Sequence, residues 1–450
     1  MTTYDCVIVG GGLAGLTTGL ELAEAGKKVA LLEAESFVGG RTASWDENGM
    51  HVESGFHRHI GYYTHLPRIL KKSGIALEDI VTWEERAEVR SPRNQEAVKL
   101  GVAPLFGPLK MLKTITGNDP YLSGKDMIST ARFFLNGIKD YYLHSNELDQ
   151  WTVREYAKKH HLCEAAFHYI IIPLSTGVFF LPPERYSAYN FFGLFAAGLP
   201  RLYKMRIGAY LGGMTEVMCQ PIAKRIHALG GEVYTNLKGE SLLVSGNGRN
   251  VYGVQTEDGK VWHANHTTLA VSLHAAKKLL KPSFSSHESF QSMFALPTMD
   301  AVTFQIDMNT PLMEKDITTF GPGTCLASFA EQSRTTFQQA KGRLSIILTP
   351  PERFTALSEN ETLEIVLQDL KAIRLPLAKE NIVKYRKIAH LHDFYHLGPG
   401  HHVMRPSQKT PIRGLTLAGD YTMQPFFATM EGAVYSGKAA AEFVLREGQS

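Results

Sequence analysis

"YDCVIVGGGLAGLTTGLELAEAGKKVALLEAESFVGGRT", residues 4–42, begins with Cys6-Val7-Ile8-Val9, a short β-branched apolar run suited to a buried parallel strand. Gly10, Gly12 and Gly15 then fall at G-x-G-x-x-G spacing. Leu13, Leu16, Leu20 and Leu22 follow at helical period until Gly26 stops the helix. Val29-Ala30-Leu31-Leu32 is a second buried strand, ending at Glu33. A strand, a glycine turn and a helix in this order cradle a pyrophosphate. The first glycine makes the turn, the second lets backbone approach the phosphates, and the third lets helix and strand pack closely. Gly10, Gly12, Leu13, Ala14 and Gly15 are the predicted phosphate contacts, at a helix N-terminus whose dipole favours negative charge. Glu33 is placed to accept hydrogen bonds from a ribose.

An acid at Glu33 argues against a 2′-phosphate and therefore against NADP. The continuation Val38-Gly39-Gly40-Arg41-Thr42 separates the remaining choices. Paired glycines let backbone pass close to a ligand, and Arg41 can meet a phosphate oxygen. This resembles the E-x(n)-GGR continuation of flavoproteins in the amine-oxidase and carotenoid-desaturase superfamily, and the resemblance implies FAD, bound in part by Gly40 and Arg41.

A chain of 450 residues exceeds one typical domain. Its 44% hydrophobic and 20% charged content is that of an ordinary globular protein. A net charge of +3, with no basic run interleaved with aromatics, excludes a nucleic-acid surface. Cys6, Cys163, Cys219 and Cys325 are isolated, so they form neither a disulfide framework nor a thiolate zinc site. The first apolar run is already the first strand and has no basic leader before it. A cytoplasmic location is expected, with peripheral membrane contact suggested by residues 105–113 and the apolar stretch after Tyr186. Residues 165–183 contain His168, Pro173 and Pro182-Pro183, and do not read as a membrane span.

Three further stretches belong with the first, the second of them running from the hairpin at 251–263 through the strand at 267–272. Gly212-Gly213-Met214-Thr215 leads into a predicted helix over 216–229, with Thr215 as N-cap, then a strand over 232–235. Residues 251–256 and 260–263 flank Glu257-Asp258-Gly259 as a hairpin. Residues 267–272 form a buried strand followed by a helix. Residues 415–420 precede a closing helix over about 429–446. The expected fold class is α/β: a Rossmann-type FAD-binding domain from 1–60, 206–285 and 406–450, interrupted by a discontinuous α+β substrate or cap domain from 61–205 and 286–405.

"GLTLAGDYTMQPFFATMEGAVYSGKAAAEFVL", residues 414–445, resembles the closing motif of plant and cyanobacterial carotenoid and phytoene desaturases. The resemblance places Gly419 and Asp420 against a phosphate and the ribityl chain. It also brings the helix start at Met430 to the flavin ring, where its dipole stabilises negative charge. "HVESGFHRHIGYYTH" resembles the family's E-x-G-x-H segment through Gly55 and His57, and residues 212–236 place Val233 beside the adenine. There are two departures. Thr215-Glu216-Val217-Met218 stands where plant-type desaturases have P-E-R-L, so Val217 replaces their arginine. Ala418-Gly419-Asp420 stands where amine oxidases have A-G-E.

His390, His392, His396, His401 and His402 lie among loop signals and read as solvated or pocket-lining, with no metal expected. His57 is a candidate proton-transfer group beside the flavin or a packing residue, and no other catalytic pair is found. The resemblance implies desaturation of a long apolar isoprenoid or carotenoid-like substrate, with hydride passing to flavin N5. Phe179, Phe180, Tyr186, Tyr189, Phe191, Phe192 and Phe195 read as core or as the wall of its pocket. No second dinucleotide fingerprint is present, so oxygen or a quinone is the expected electron acceptor. A flavin amine oxidase, a protoporphyrinogen-type oxidase and a non-redox FAD-dependent polyene isomerase remain as alternatives.

Overall fold

The computed structural model describes residues 3–84, 86–101 and 121–447. Residues 105–113, named above for membrane contact, lie outside the described residues. Strand β1 (Thr3–Val9) pairs in parallel with β2 (Val29–Leu32), and helix α1 (Leu13–Glu24) joins them. Both strands are almost wholly buried, as their continuous apolar runs require. They are the centre of a seven-stranded sheet. On the far side of β2 lies Glu232–Tyr234, and beside β1 lies the long strand Val261–Leu269. That strand has two neighbours on its other side. Its first half pairs antiparallel with Val251–Thr256, and its second half pairs in parallel with Leu415–Leu417. Gly239–Val244, which the sequence reading missed, completes the sheet.

A second seven-stranded sheet takes its strands from residues 86–101 and 298–395. It is antiparallel apart from the pairing of Thr319–Phe320 with Arg86–Val89. One face carries the core around Phe304, Phe329, Ile346 and Leu370. The helices Gly124–Leu143, Val153–Lys159, Ile172–Phe179 and Ala188–Gly198 form a layer packed on aromatic side chains. Gly137 lies so close to Phe192 that an added Cβ would fall 2.0 Å from the ring. A small sheet of His59–Ile60, Ile207–Tyr210 and Val81–Trp83 links the layers.

Two local expectations need correction. Residues 261–269 form one strand, where the sequence suggested a short hairpin arm followed by a separate strand. Thr215 is not an N-cap: its side chain accepts the Ser44 N–H and donates to the Val38 carbonyl. The helical turn it opens, Thr215–Cys219, is a π-helix running into the α-helix Gln220–Ala228. Its hydroxyl therefore ties this turn to the chain around the second glycine pair.

Candidate functional site: a dinucleotide cradle

Gly12 is the N-cap of helix α1, no side chain caps the helix, and no acid stands in its first turn. Its leading amides are therefore a positive end that no acid of the helix itself neutralises. Gly15 packs against the turn: a Cβ there would fall 1.9 Å from the Gly10 carbonyl oxygen. Gly12 differs, because the nearest atom to its virtual Cβ is the Gly39 carbonyl oxygen at 3.9 Å. The space in front of Gly12 is open while the space behind Gly15 is full, as a pyrophosphate site requires.

Glu33 closes one end. It is buried, and it accepts from the Gly11 N–H at 2.6 Å and the Glu35 N–H at 2.9 Å. Burial pushes its carboxyl pKa up, against the lowering effect of those amides. A ribose hydroxyl would add a further donor to this desolvated carboxylate. Val233 is the register partner of Leu31, and the neighbouring Tyr234 carbonyl accepts the Glu33 N–H, so the adenine-side strand and the acid share one edge.

The other end is built by the glycine pair. Gly39 hydrogen-bonds back to Gly11, and Gly40 adopts a φ of +55°, so the chain turns sharply at Gly12 and leads into Arg41. The Arg41 guanidinium pairs with Asp420 and lies over the Phe394 ring, 4.6 Å from its centroid. Gly419 donates its N–H to the Ser436 hydroxyl, which anchors the Asp420 turn on the closing helix Met430–Glu447. That helix packs directly on α1, since a Cβ on Gly437 would fall 2.2 Å from the Ala14 carbonyl oxygen. Gly10, Gly12, Leu13, Ala14, Gly15, Glu33, Gly40, Arg41, Val233, Gly419 and Asp420 are thereby gathered along the C-terminal ends of the central strands. Met430 stands half-buried at the start of the closing helix.

His57 is held on both sides. Its Nε2 lies 3.0 Å from the Arg41 carbonyl oxygen and its Nδ1 lies 3.4 Å from Glu53 Oε2. Gly55 makes room for the ring, 2.9 Å from its virtual Cβ. The protein thus engages both ring nitrogens and uses the imidazole to brace the loop carrying Arg41. The remaining histidines scatter. His390 meets the Ser54 carbonyl oxygen, His392 stacks near His274, and His396 faces His401. Burial lowers the pKa of His396 and His402 to about 4. No group of three His, Cys, Asp or Glu side chains is disposed to hold a metal ion among the described residues.

The sequence reading missed the group that locks the Asp420 loop. Arg405 is buried and donates to the carbonyl oxygens of Asp420, Tyr421, Thr422 and Gln424, between the rings of Tyr395 and Phe427. Gln408 and Gln424 add further bonds to the same loop. Glu431 was also missed. Its carboxylate accepts from the N–H groups of Thr64, His65 and Leu66 and so caps the helix His65–Lys72. The aromatic stripe divides: Phe179, Tyr186, Phe191 and Phe192 are core, while Phe180, Tyr189 and Phe195 are half-buried. Phe180 meets Phe394 edge-on at 5.4 Å, which puts this aromatic stripe one ring away from Arg41.

An uncapped helix start, an open glycine face and a buried carboxylate lacking hydroxyl donors fit an adenine dinucleotide, and fold and cradle together define a dinucleotide-binding flavoprotein. The chain belongs to the flavin containing amine oxidoreductase family, whose description it matches over residues 13–445. It is an FAD-dependent oxidoreductase. It is 27% identical to 15-cis-phytoene desaturase of Glycine max over 99% of this chain and 80% of that protein. It is also 27% identical to zeta-carotene desaturase of Synechocystis over 97% of this chain and 96% of that protein. Among solved structures, wild-type putrescine oxidase bound to putrescine superposes with a TM-score of 0.76 at 17% identity, covering 99% of each chain.

Proposed function

We propose that this protein removes a pair of hydrogens from a long, uncharged isoprenoid chain and passes the electrons to oxygen or a quinone. The observation carrying the reading is the near full-length similarity to a phytoene desaturase and a zeta-carotene desaturase. Bound FAD supplies the hydride acceptor. The residues proposed to hold it are the turn Gly10–Gly15, Glu33, Gly40, Arg41, Gly55, Val233, Gly419, Asp420 and Met430. The Arg41–Asp420 pair fixes the loop on which the cofactor lies, and Phe180 and Phe394 line the approach from the cap. An apolar wall recovers about 25 cal/mol per Å² of buried substrate surface, so a long polyene needs no ionic anchor. Residues 1–60, 206–285 and 406–450 form the cofactor part in this reading, and 61–205 and 286–405 the substrate part. Contact with a membrane surface would give such a substrate a dry route in. No described helix is long and apolar enough to cross a membrane.

The test is anaerobic mixing of the yellow protein with phytoene-like polyenes, followed by flavin absorbance and product mass. Bleaching with a product lacking one pair of hydrogens is expected. Rapid bleaching by amines, with every isoprenoid leaving the flavin oxidised, would overturn the proposal. A product of unchanged mass would point to isomerisation.

A further inference from the structure

The helix Gly124–Leu143 presents an unusual outward face. Its buried side carries Thr130, Phe133 and Gly137, packed on Phe191 and Phe192 of the neighbouring helix. On the opposite side Ile128, Leu135 and Tyr142 are 56%, 71% and 60% exposed. Residues seven apart drift by only about 20° around a helix, so these three form one stripe about 21 Å long. Leu143, at the end of the helix, is 66% exposed. An amphipathic helix serving only its own protein turns polar side chains outward, whereas this one also exposes a row of large apolar side chains.

The exposed charges of this helix have one sign. Lys125, Arg132 and Lys139 are exposed along it. The two acids of the helix are engaged elsewhere: Asp126 closes the capping box with Ser123, and Asp140 accepts from Tyr156 on the inner side. The patch continues beyond the helix. Tyr142 reaches the Ala196 carbonyl oxygen, and the turn Leu199–Lys204 that follows exposes Leu199, Tyr203 and Lys204.

We propose that this face is where the protein rests on an anionic lipid surface. Apolar side chains would enter the acyl boundary while the flanking cations meet lipid phosphates. Charge complementarity selects this occupant, since the helix exposes three cations and no acid, and two copies of it would repel. The assignment rests on the membrane-contact reading above and goes beyond it by naming the outward face of the helix Gly124–Leu143.

Flotation of the FAD-loaded protein tests it, using phosphatidylcholine vesicles with and without 30% phosphatidylglycerol as about one lipid in three. The wild type should float with the anionic vesicles and be released by high salt. Ile128→Glu/Leu135→Glu, two changes on an exposed face, should cut the floating fraction at least about tenfold while flavin absorbance and melting stay unchanged. Lys125→Glu/Arg132→Glu/Lys139→Glu should abolish the preference for phosphatidylglycerol. Wild type and variants floating equally would overturn this surface and leave membrane contact standing. Wild type remaining at the bottom with both vesicles would overturn both. A wild-type dimer that the double variant turns into a monomer, with no flotation, would assign the face to self-association and overturn the proposal.

Discussion

Gly12 and Gly15 lie within one turn of each other and should respond to substitution in opposite ways. Gly12 has ordinary extended backbone, with φ −73° and ψ 179°, and open space in front of it. Gly12→Leu should therefore melt within a few degrees of wild-type apoprotein yet purify without flavin colour. Gly15→Ala must displace the Gly10 carbonyl and should fail to give folded protein. Circular dichroism melts and visible absorbance separate the two, and full flavin retention in Gly12→Leu would remove the phosphate assignment. These glycines, with Glu33 and Arg41, could be read from the sequence because their spacing is local and fixed by backbone geometry. Arg405 could not. Its acceptors are four main-chain carbonyls, and carbonyls leave no trace in residue identity.

The helix His65–Lys72 has no acid in its first turn, and no Thr64 side-chain bond caps it. Glu431 supplies the cap from another helix, 365 residues along the chain from Leu66. A buried carboxylate facing three helix-start amides combines charge-assisted hydrogen bonds with the dipole. Glu431→Gln keeps the shape but turns one donor-bearing nitrogen toward donors. It should cost about 2–3 kcal/mol, read as a lowered denaturant midpoint. An unchanged midpoint would mean the cap is dispensable. No window of sequence could expose this pairing, since each partner alone looks ordinary. The same limit explains Thr215, which has the composition of an N-cap and a distant partner in Ser44. It also explains residues 261–269, where one strand serves two different neighbours and so reads as two elements. Strands with one buried run and one turn signal, such as β1 and β2, were recovered with small boundary errors.

Across the chain, the start of the helix Ala188–Gly198 and the loop at Gly400 meet at a buried carboxyl. Asp149 is 2% exposed, accepts from the Ser187 hydroxyl at 2.7 Å, and leaves its Oδ2 without a partner. Burial pushes its pKa up to about 6 from 3.8, against the lowering effect of the Ser187 hydroxyl and of the His402 and Gly400 backbone. A carboxyl raised on folding favours the folded state only while it is protonated. Wild-type stability should therefore fall as pH rises from about 4 to about 6 and then level off, by at most about 3 kcal/mol. Asp149→Asn should flatten that fall and leave the protein more stable than wild type at pH 8. Denaturant midpoints at pH 4, 6 and 8 decide it, and parallel curves for the two proteins would refute the assignment. The strand Val261–Leu269 has a further consequence, for the order of events during synthesis. Its second half waits for Leu415–Leu417, and Arg41 waits for a carboxylate 379 residues downstream. A ribosome adding about 5–20 residues per second takes tens of seconds to cover that distance, and until then the emerging chain has a phosphate turn without its clasp. A nascent chain halted before Leu415 should therefore carry no flavin.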